Sequence, residues 1–178
     1  MKPSTHFRLL LLTLLGVSAI GILAFRAPSP LPESTAPERF SALRAERHLQ
    51  ALASQPRVMG TAEHAASWQY LAAEIETLNL EPEIQQTTLA RSVGAGVVYA
   101  AHITNVMARL PGRQRGSAVM LVGHYDTVPG SPGAGDNAAG VVALLETMRA
   151  LRQGPQLAND VIFLFTDAEE SGLLGAQA

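Results

Sequence analysis

A chain of 178 residues with 47% apolar composition has the length for one domain of ordinary size and enough apolar side chain to build a core, which excludes disorder throughout. Its formal charge is -2, and Lys2 is the only lysine among 13 basic residues, the rest being scattered arginines, which excludes a phosphate-tracking nucleic-acid surface. Cysteine is absent, so disulfides, thiolate metal sites and cysteine nucleophiles are excluded together.

Residues 1–8 are a short basic segment containing Lys2 and Arg8. Residues 9–25 carry no charge and are followed by Arg26 and a Pro-rich linker, 26–37, an arrangement that marks an export signal. At 1.5 Å per helical residue the run reaches close to the roughly 30 Å hydrocarbon thickness. It is apolar on every face, which suits a membrane anchor rather than a core helix. Small residues in Val17-Ser18-Ala19 and Ala19-Ile20-Gly21 keep a cleaved signal peptide open as the alternative. Two basic residues before the run and one after predict an inside N-terminus, with the remaining domain, 38–178, outside the cytoplasm.

Within that domain, residues 38–54 set Phe40, Leu43, Leu49 and Leu52 on a broad apolar stripe, predicting an amphipathic helix that Pro56 stops. A second helix is expected over 62–78, where Trp68, Leu71, Ile75 and Leu78 are spaced by three, four and three. His48 and His64 lie on these helices with no partner at ligand spacing and are expected to be solvated or capping residues. The period then changes. Residues 82–89 and 102–110 predict strands, and Leu110-Pro111-Gly112 with 113–116 predicts a polar turn. Ala118-Val119-Met120-Leu121-Val122 is the run expected of a strand buried on both faces, within 117–123. A loop rich in Gly and Pro leads to a helical pattern over 141–151, and Val161-Ile162-Phe163-Leu164-Phe165 forms a second apolar strand. Strand, loop, helix and strand together predict an α/β domain with parallel central strands covered by helices. A helix is expected to begin near Ser171. It has no cap and no stop signal, so the chain is expected to be a fragment.

Both apolar strands end in polar clusters, Gly123-His124-Tyr125-Asp126 and Thr166-Asp167-Ala168-Glu169-Glu170, at the place where open α/β sheets carry their sites. Between them Gly133-Ala134-Gly135-Asp136-Asn137-Ala138-Ala139-Gly140 brings an acid into the loop feeding a helix. One imidazole and several carboxylates, with no thiolate, suit zinc ahead of manganese or cobalt. His124 and Asp126 are two apart and face the same way on an extended strand, so Asp126 can hold the imidazole nitrogen that is not given to a metal. Glu169 and Glu170 are adjacent and point differently, so one can ligate while the other moves protons. The glycines before Asp136 let the loop bend and bring a two-oxygen carboxylate between metals. Asp167 has no necessary part in this scheme and reads as a strand-end or turn residue.

The three segments His124-Tyr125-Asp126-Thr127-Val128-Pro129, Gly135-Asp136-Asn137 and Phe165-Thr166-Asp167-Ala168-Glu169-Glu170-Ser171-Gly172-Leu173-Leu174-Gly175 resemble the co-catalytic di-zinc aminopeptidase family. Within that family the wording is most similar to the vacuolar and endoplasmic-reticulum membrane metallopeptidases. The resemblance extends over 38–178 and includes Arg57 to Gly60 and Asn105 to Gly112 with less information. It implies a three-layer α/β/α fold with a mostly parallel mixed central sheet, incomplete at the C-terminus and preceded by the hydrophobic helix. It also implies that His124 binds one zinc, Glu170 binds the other and Asp136 bridges them. Glu169 matches the family's general base and Asp126 the residue that orients the histidine. The substrate implied is a peptide whose free α-amine anchors at a metal, and the Asp136-Asn137 link is expected to be a cis peptide. One more carboxylate and one more histidine are needed for two zincs, so these 178 residues alone are expected neither to hold both firmly nor to hydrolyse peptides.

Two rival functions share these features. One is the related di-zinc aminoacylase and carboxypeptidase family, whose middle motif differs from Gly135-Asp136-Asn137. The other is a non-catalytic ectodomain keeping the fold as a receptor or scaffold, against which the intact His124, Asp136, Glu169 and Glu170 speak. Singly, a histidine after a strand caps it and an acidic pair before a helix serves its dipole, but three motifs in order are not explained that way. The glycines at 133, 135 and 140 lack the spacing of a dinucleotide fingerprint. Phosphate-binding P-loop, Gly-x-Ser-x-Gly and His-Glu-x-x-His patterns are absent.

Overall fold

The computed structural model describes residues 4–114 and 116–178, with the side chains of Val93 and Tyr99 left aside. Lys2 of the basic segment and Arg115 of the expected polar turn lie outside the described residues. The chain divides into two units, Met1–Pro30 and Leu31–Ala178.

The first unit is helix α1, Thr5–Ala24, capped where Ser4 Oγ accepts the Phe7 N–H at 3.3 Å. It starts four residues before the uncharged run because this cap, rather than the onset of apolar side chains, sets where the helix begins. Among the described residues it is the one helix long and apolar enough to cross a membrane.

In the second unit, residues 31–40 form an irregular strap rather than the first turn of a helix, and α2 runs only over Ala42–Leu52. The later start has a local cause: Ser41 Oγ accepts the Arg44 N–H at 3.2 Å while its hydroxyl donates to Leu31 O at 2.8 Å. Arg44 and Arg149 then donate to strap carbonyls of Glu33, Thr35, Pro37 and Arg39, and both guanidiniums converge on the buried Glu146. The Ser41 N–H adds a bond to Glu146 Oε1 at 2.8 Å. Burial alone would push the Glu146 carboxyl up, but Arg149, the Ser41 N–H and Arg44 outweigh it and hold it below its ordinary value. Helix α3, Ala62–Thr77, matches its expected span and is capped by Thr61.

Strands β1, Glu83–Gly94, and β2, Val97–Leu110, form an antiparallel hairpin much longer than the two predicted strands. Gly94, Ala95 and Gly96 all adopt positive φ at the turn, so residues 90–101 extend both arms instead of forming a loop. Strand β3, Ala118–His124, helix α4, Ala139–Gln153, and β4, Asp160–Thr166, make a strand-helix-strand crossover. The sheet order is β1-β2-β4-β3, with β3 parallel and β2 antiparallel to β4. The α/β class, the mixed sheet and the leading apolar helix are as expected. The parallel part of the sheet is the β3–β4 pair, because only that pair is joined by a helical crossover.

One face of the sheet is covered by α2, α3 and α4, whose Leu52, Leu71, Ile75, Val141, Leu145 and Met148 pack on Val106, Ala108, Phe163 and Phe165. Each fully buried side chain of this size contributes about 1.5–3 kcal/mol. On the opposite face, by strand alternation, Ile103 packs with Ala101, Ala168 and Leu174, while Ile162 and Leu164 are half-buried. The expectation that β3 is buried on both faces does not hold. Val119, Met120 and Val122 are each about half exposed: among the described residues β3 is one of the two edge strands, whereas β4 lies between β3 and β2. The helix expected from Ser171 is also absent: Gly172 and Leu173 take left-handed φ values of 95° and 62°, and a short turn of 3-10 helix, Gly175–Gln177, follows.

Candidate metal centre

Because β3 and β4 are parallel neighbours with His124 opposite Thr166, the segments that leave them do so at one edge of the sheet. His124 is 8% exposed. Its Nε2 lies 3.0 Å from Asp136 Oδ1 and 3.9 Å from Glu169 Oε2. Its Nδ1 faces Asp126 Oδ1 at 3.3 Å, the arrangement expected from the His-x-Asp spacing. The Asp136-Asn137 peptide is cis, and Asp136 is mostly exposed on its loop.

Asp126, buried to 1%, has a second role that the spacing did not reveal. Its Oδ1 accepts the Glu169 N–H at 3.0 Å and its Oδ2 accepts the Glu170 N–H at 3.1 Å. The residue that holds the histidine therefore also holds the backbone of the Glu pair. The hydrogen bond to Asp126, helped by Asp136 and by the charges of Asp126 and Glu169, outweighs burial and pushes the His124 imidazole up to about 9. Glu170 is held above its ordinary value by desolvation and then by the neighbouring Asp136 and Glu169, with His124 opposing.

Two donors on a tetrahedral zinc at about 2.0–2.2 Å lie about 3.3 Å apart. The His124 and Asp136 atoms are within a few tenths of that separation, and an imidazole with carboxylates is a donor set that zinc accepts. Three such side chains do not converge as a metal-sized cluster among the described residues. Asp126, Asp136 and Glu169 each approach His124 pairwise by their side chains, whereas Glu170 is tied in by its backbone N–H to Asp126.

Residues 105–178, which contain all five of these positions, match peptidase family M28. This segment belongs to that family. Over 149 residues the chain is 32% identical to the mouse endoplasmic reticulum metallopeptidase 1, a match covering 75% of this chain and 17% of that protein. The chain therefore spans about a sixth of that relative's length. The fold is similar to the glutaminyl cyclase of Porphyromonas gingivalis, with a TM-score of 0.65 at 27% identity, covering 78% of this chain and 54% of that one. It is similar also to a leucine aminopeptidase precursor from Bacteroides thetaiotaomicron, with a TM-score of 0.62 at 28% identity and coverage of 74% and 48%.

The M28 segment is braced by residues that precede it. Arg57, 1% exposed, donates from Nε to Tyr125 O at 2.6 Å and from Nη1 to Leu52 O at 2.6 Å and Pro132 O at 2.7 Å. Its backbone N–H donates to Thr127 Oγ1 at 2.7 Å, and its carbonyl accepts the Thr127 N–H at 3.2 Å. One guanidinium thus ties both ends of the loop that runs from Asp126 toward Asp136. That loop turns at Gly133, whose φ of 61° and contact with Thr127 leave no room for a β-carbon.

His48 and His64 are not the solvated or capping residues expected. Both are buried: His48 Nδ1 lies 2.6 Å from Tyr70 Oη, and His64 Nε2 lies 2.7 Å from Asp167 Oδ1. Asp167 lies at the bend directly after β4, as a strand-end residue should, and is in addition fully buried. A signal for His64 was present, since 64, 68, 71 and 75 form one helical stripe whose other members are apolar. Tyr125, fully buried, donates from its hydroxyl to Thr104 O at 2.7 Å, and burial pushes its phenol well above the ordinary range.

Proposed function

We propose that this chain carries most of the catalytic centre of a membrane-anchored zinc exopeptidase of the M28 family, an aminopeptidase that removes the N-terminal residue of peptides. The observation that supports this is the approach of Asp136 Oδ1 to 3.0 Å and of Glu169 Oε2 to 3.9 Å of His124 Nε2, where the chain leaves two adjacent parallel strands. His124 and Glu170 would each hold one of two zincs and Asp136 would bridge them, with one more carboxylate and histidine needed from elsewhere. Zinc, when bound, supplies Lewis-acid polarisation of the scissile carbonyl and makes a water acidic near neutral pH. Glu169, free of a ligand role, takes the proton of the attacking water on its carboxylate and gives it to the leaving amine. Asp126 keeps the His124 proton on Nδ1, so that Nε2 is the nitrogen turned to the metal. In this reading α1 is an uncleaved anchor and the domain lies outside the cytoplasm.

A second reading is favoured by the likeness to glutaminyl cyclase, at 27% identity. There the α-amine of an N-terminal glutamine attacks its own side-chain amide and ammonia leaves, with Glu169 moving the proton. One experiment separates the two. The intact gene product, loaded with zinc, is incubated with an aminoacyl p-nitroanilide and with a peptide beginning in glutamine. Release of nitroaniline and free amino acid supports the aminopeptidase. Ammonia with a blocked peptide supports the cyclase, and neither product from a protein of verified zinc content refutes both.

A further inference from the structure

We propose that His64 and Asp167 are a positioning pair that sets the loop bearing Glu169 and Glu170, a role that rests on the peptidase reading for its catalytic consequence but not for its effect on metal affinity. Strand β4 ends at Thr166, and the chain must reverse at once for the Glu pair to meet His124. The reversal occurs at Ala168, whose φ of 50° is left-handed, a conformation that a residue with a β-carbon rarely adopts unless its surroundings impose it. What imposes it is Asp167. Its Oδ1 accepts the Ala168 N–H at 2.6 Å and its Oδ2 accepts the Thr104 N–H at 2.9 Å. Its own N–H donates to Asn105 Oδ1 at 2.9 Å, and its carbonyl accepts the Gly175 N–H at 3.0 Å. Through this reversal the N–H groups of Glu169 and Glu170 turn toward Asp126.

Asp167 has no solvent contact; His64 Nε2 lies 2.7 Å from its carboxylate, and the Tyr125 phenol lies beside it. An ionised carboxylate only accepts, so His64 Nε2–H is the donor. The His64 ring also stacks on Tyr125, with centroids 5.2 Å apart at 25°, and Tyr125 lies between His124 and Asp126. His64 therefore touches both loops of the site, packing on the one and hydrogen-bonding the other. A histidine that merely fills the core would need its volume but not its donor. Here the donor is the part that ties the loop to α3: without it Asp167 Oδ1 loses its partner on that helix, and the carboxylate is left to the Ala168 and Thr104 N–H groups.

The test uses the intact gene product and the variants His64→Leu, His64→Gln and Asp167→Asn. Zinc affinity is measured by chelator competition, kcat and KM on an aminoacyl p-nitroanilide, and melting temperature in parallel. Partners behind metal ligands typically change affinity or activity by 10–100-fold, so His64→Leu is expected to weaken zinc and lower kcat by about 10-fold or more, with KM nearly unchanged. His64→Gln, which keeps an N–H donor, is expected to restore most of both. Asp167→Asn is expected to resemble His64→Leu, and the double variant to lose little more than either single one. If His64→Leu fails to fold, the Gln and Asn variants carry the comparison. Wild-type zinc affinity and kcat in a folded His64→Leu or Asp167→Asn, or equal losses in the Leu and Gln variants that track melting temperature alone, overturn the proposal. Zinc affinities that follow the expected order in a protein that cleaves no amide would sink the peptidase reading and leave the positioning role standing.

Discussion

Asp126 Oδ1 accepts the backbone N–H of Glu169 at 3.0 Å, so the carboxylate that lies 3.3 Å from His124 Nδ1 also holds the backbone of the Glu pair. Asp126→Ala leaves two part-buried N–H groups without acceptors and His124 without its partner. A fully buried orphan would cost about 1–3 kcal/mol, and partial access to water lowers that. The expected result is a fall in stability by urea unfolding together with a loss of zinc affinity of about 10–100-fold. A variant that loses stability but binds zinc as before would confine Asp126 to a structural role.

Glu169 approaches His124 to 3.9 Å but is assigned the proton rather than the metal. Glu169→Gln is expected to lower kcat by about 10²–10⁴-fold, the range for a general base. Zinc content, read by atomic absorption, is expected to stay at the wild-type level. A variant that came out of purification without zinc would make Glu169 a ligand and reverse its assignment with Glu170.

The metal-free protein has its own pH dependence. The folded pKa of His124, about 9, lies above its ordinary 6.5, so protonation of His124 contributes stability that is fully present below about pH 6.5 and is lost as pH rises through about 9. Zinc needs the neutral imidazole, so its uptake displaces a proton over the same window. Melting temperature of the apo protein is expected to fall between pH 6.5 and 9 while zinc affinity rises. Affinity that stayed flat across that range would remove His124 from the ligand set.

Arg57 spends its guanidinium on backbone carbonyls of Leu52, Tyr125 and Pro132, with Gly133 O at 3.4 Å. Hydrogen bonds from a charged group contribute about 1.5–3 kcal/mol each, and Arg57→Met removes several at once. Destabilisation by several kcal/mol is expected, seen as a lower urea midpoint. Arg57→Lys is expected to recover little of it, because an ammonium cannot fork between carbonyls at both ends of the loop.

Glu146 anchors the strap over residues 31–40 and the Ser41 cap that follows it. Its pKa is held below the ordinary 4.5 by Arg149, Ser41 and Arg44 against burial, so its contribution is present above that value and disappears as pH falls through the lower one. Limited proteolysis is expected to cut the strap in Glu146→Gln at neutral pH and in the wild type only under acid conditions. Equal resistance of variant and wild type at neutral pH would show that the strap is held by Arg44 and Arg149 through their carbonyl contacts alone.

Much of the site was legible because its chemistry is written in short motifs. His124 ends β3 and Asp126 lies two residues on, and the 3.3 Å contact between them agrees with that spacing. Asp136 sits in a loop that glycines allow to bend, and its Oδ1 lies 3.0 Å from His124 Nε2. His64 and Asp167 were not legible as partners, since they are 103 residues apart and each looks ordinary beside its own neighbours. Arg57 is similar: nothing local to it marks a guanidinium that will be buried among carbonyls from other segments. The long hairpin escaped notice because residues 90–101 are mostly small or apolar without alternation, and only the pairing of β1 with β2 makes them strand.

By itself the sequence determined the apolar first helix, the strand-helix-strand crossover and the identity of the chemical groups at its end. These depend on local properties: hydrophobic period, turn residues and the fixed direction of side chains on a strand. Only the tertiary structure decided that β3 is the sheet edge, that Ser41 rather than Glu38 opens α2, and that Asp126 is shared between His124 and the Glu pair. It alone decided which buried polar groups meet, because a buried donor must find an acceptor wherever packing brings one, and packing is a property of the whole chain.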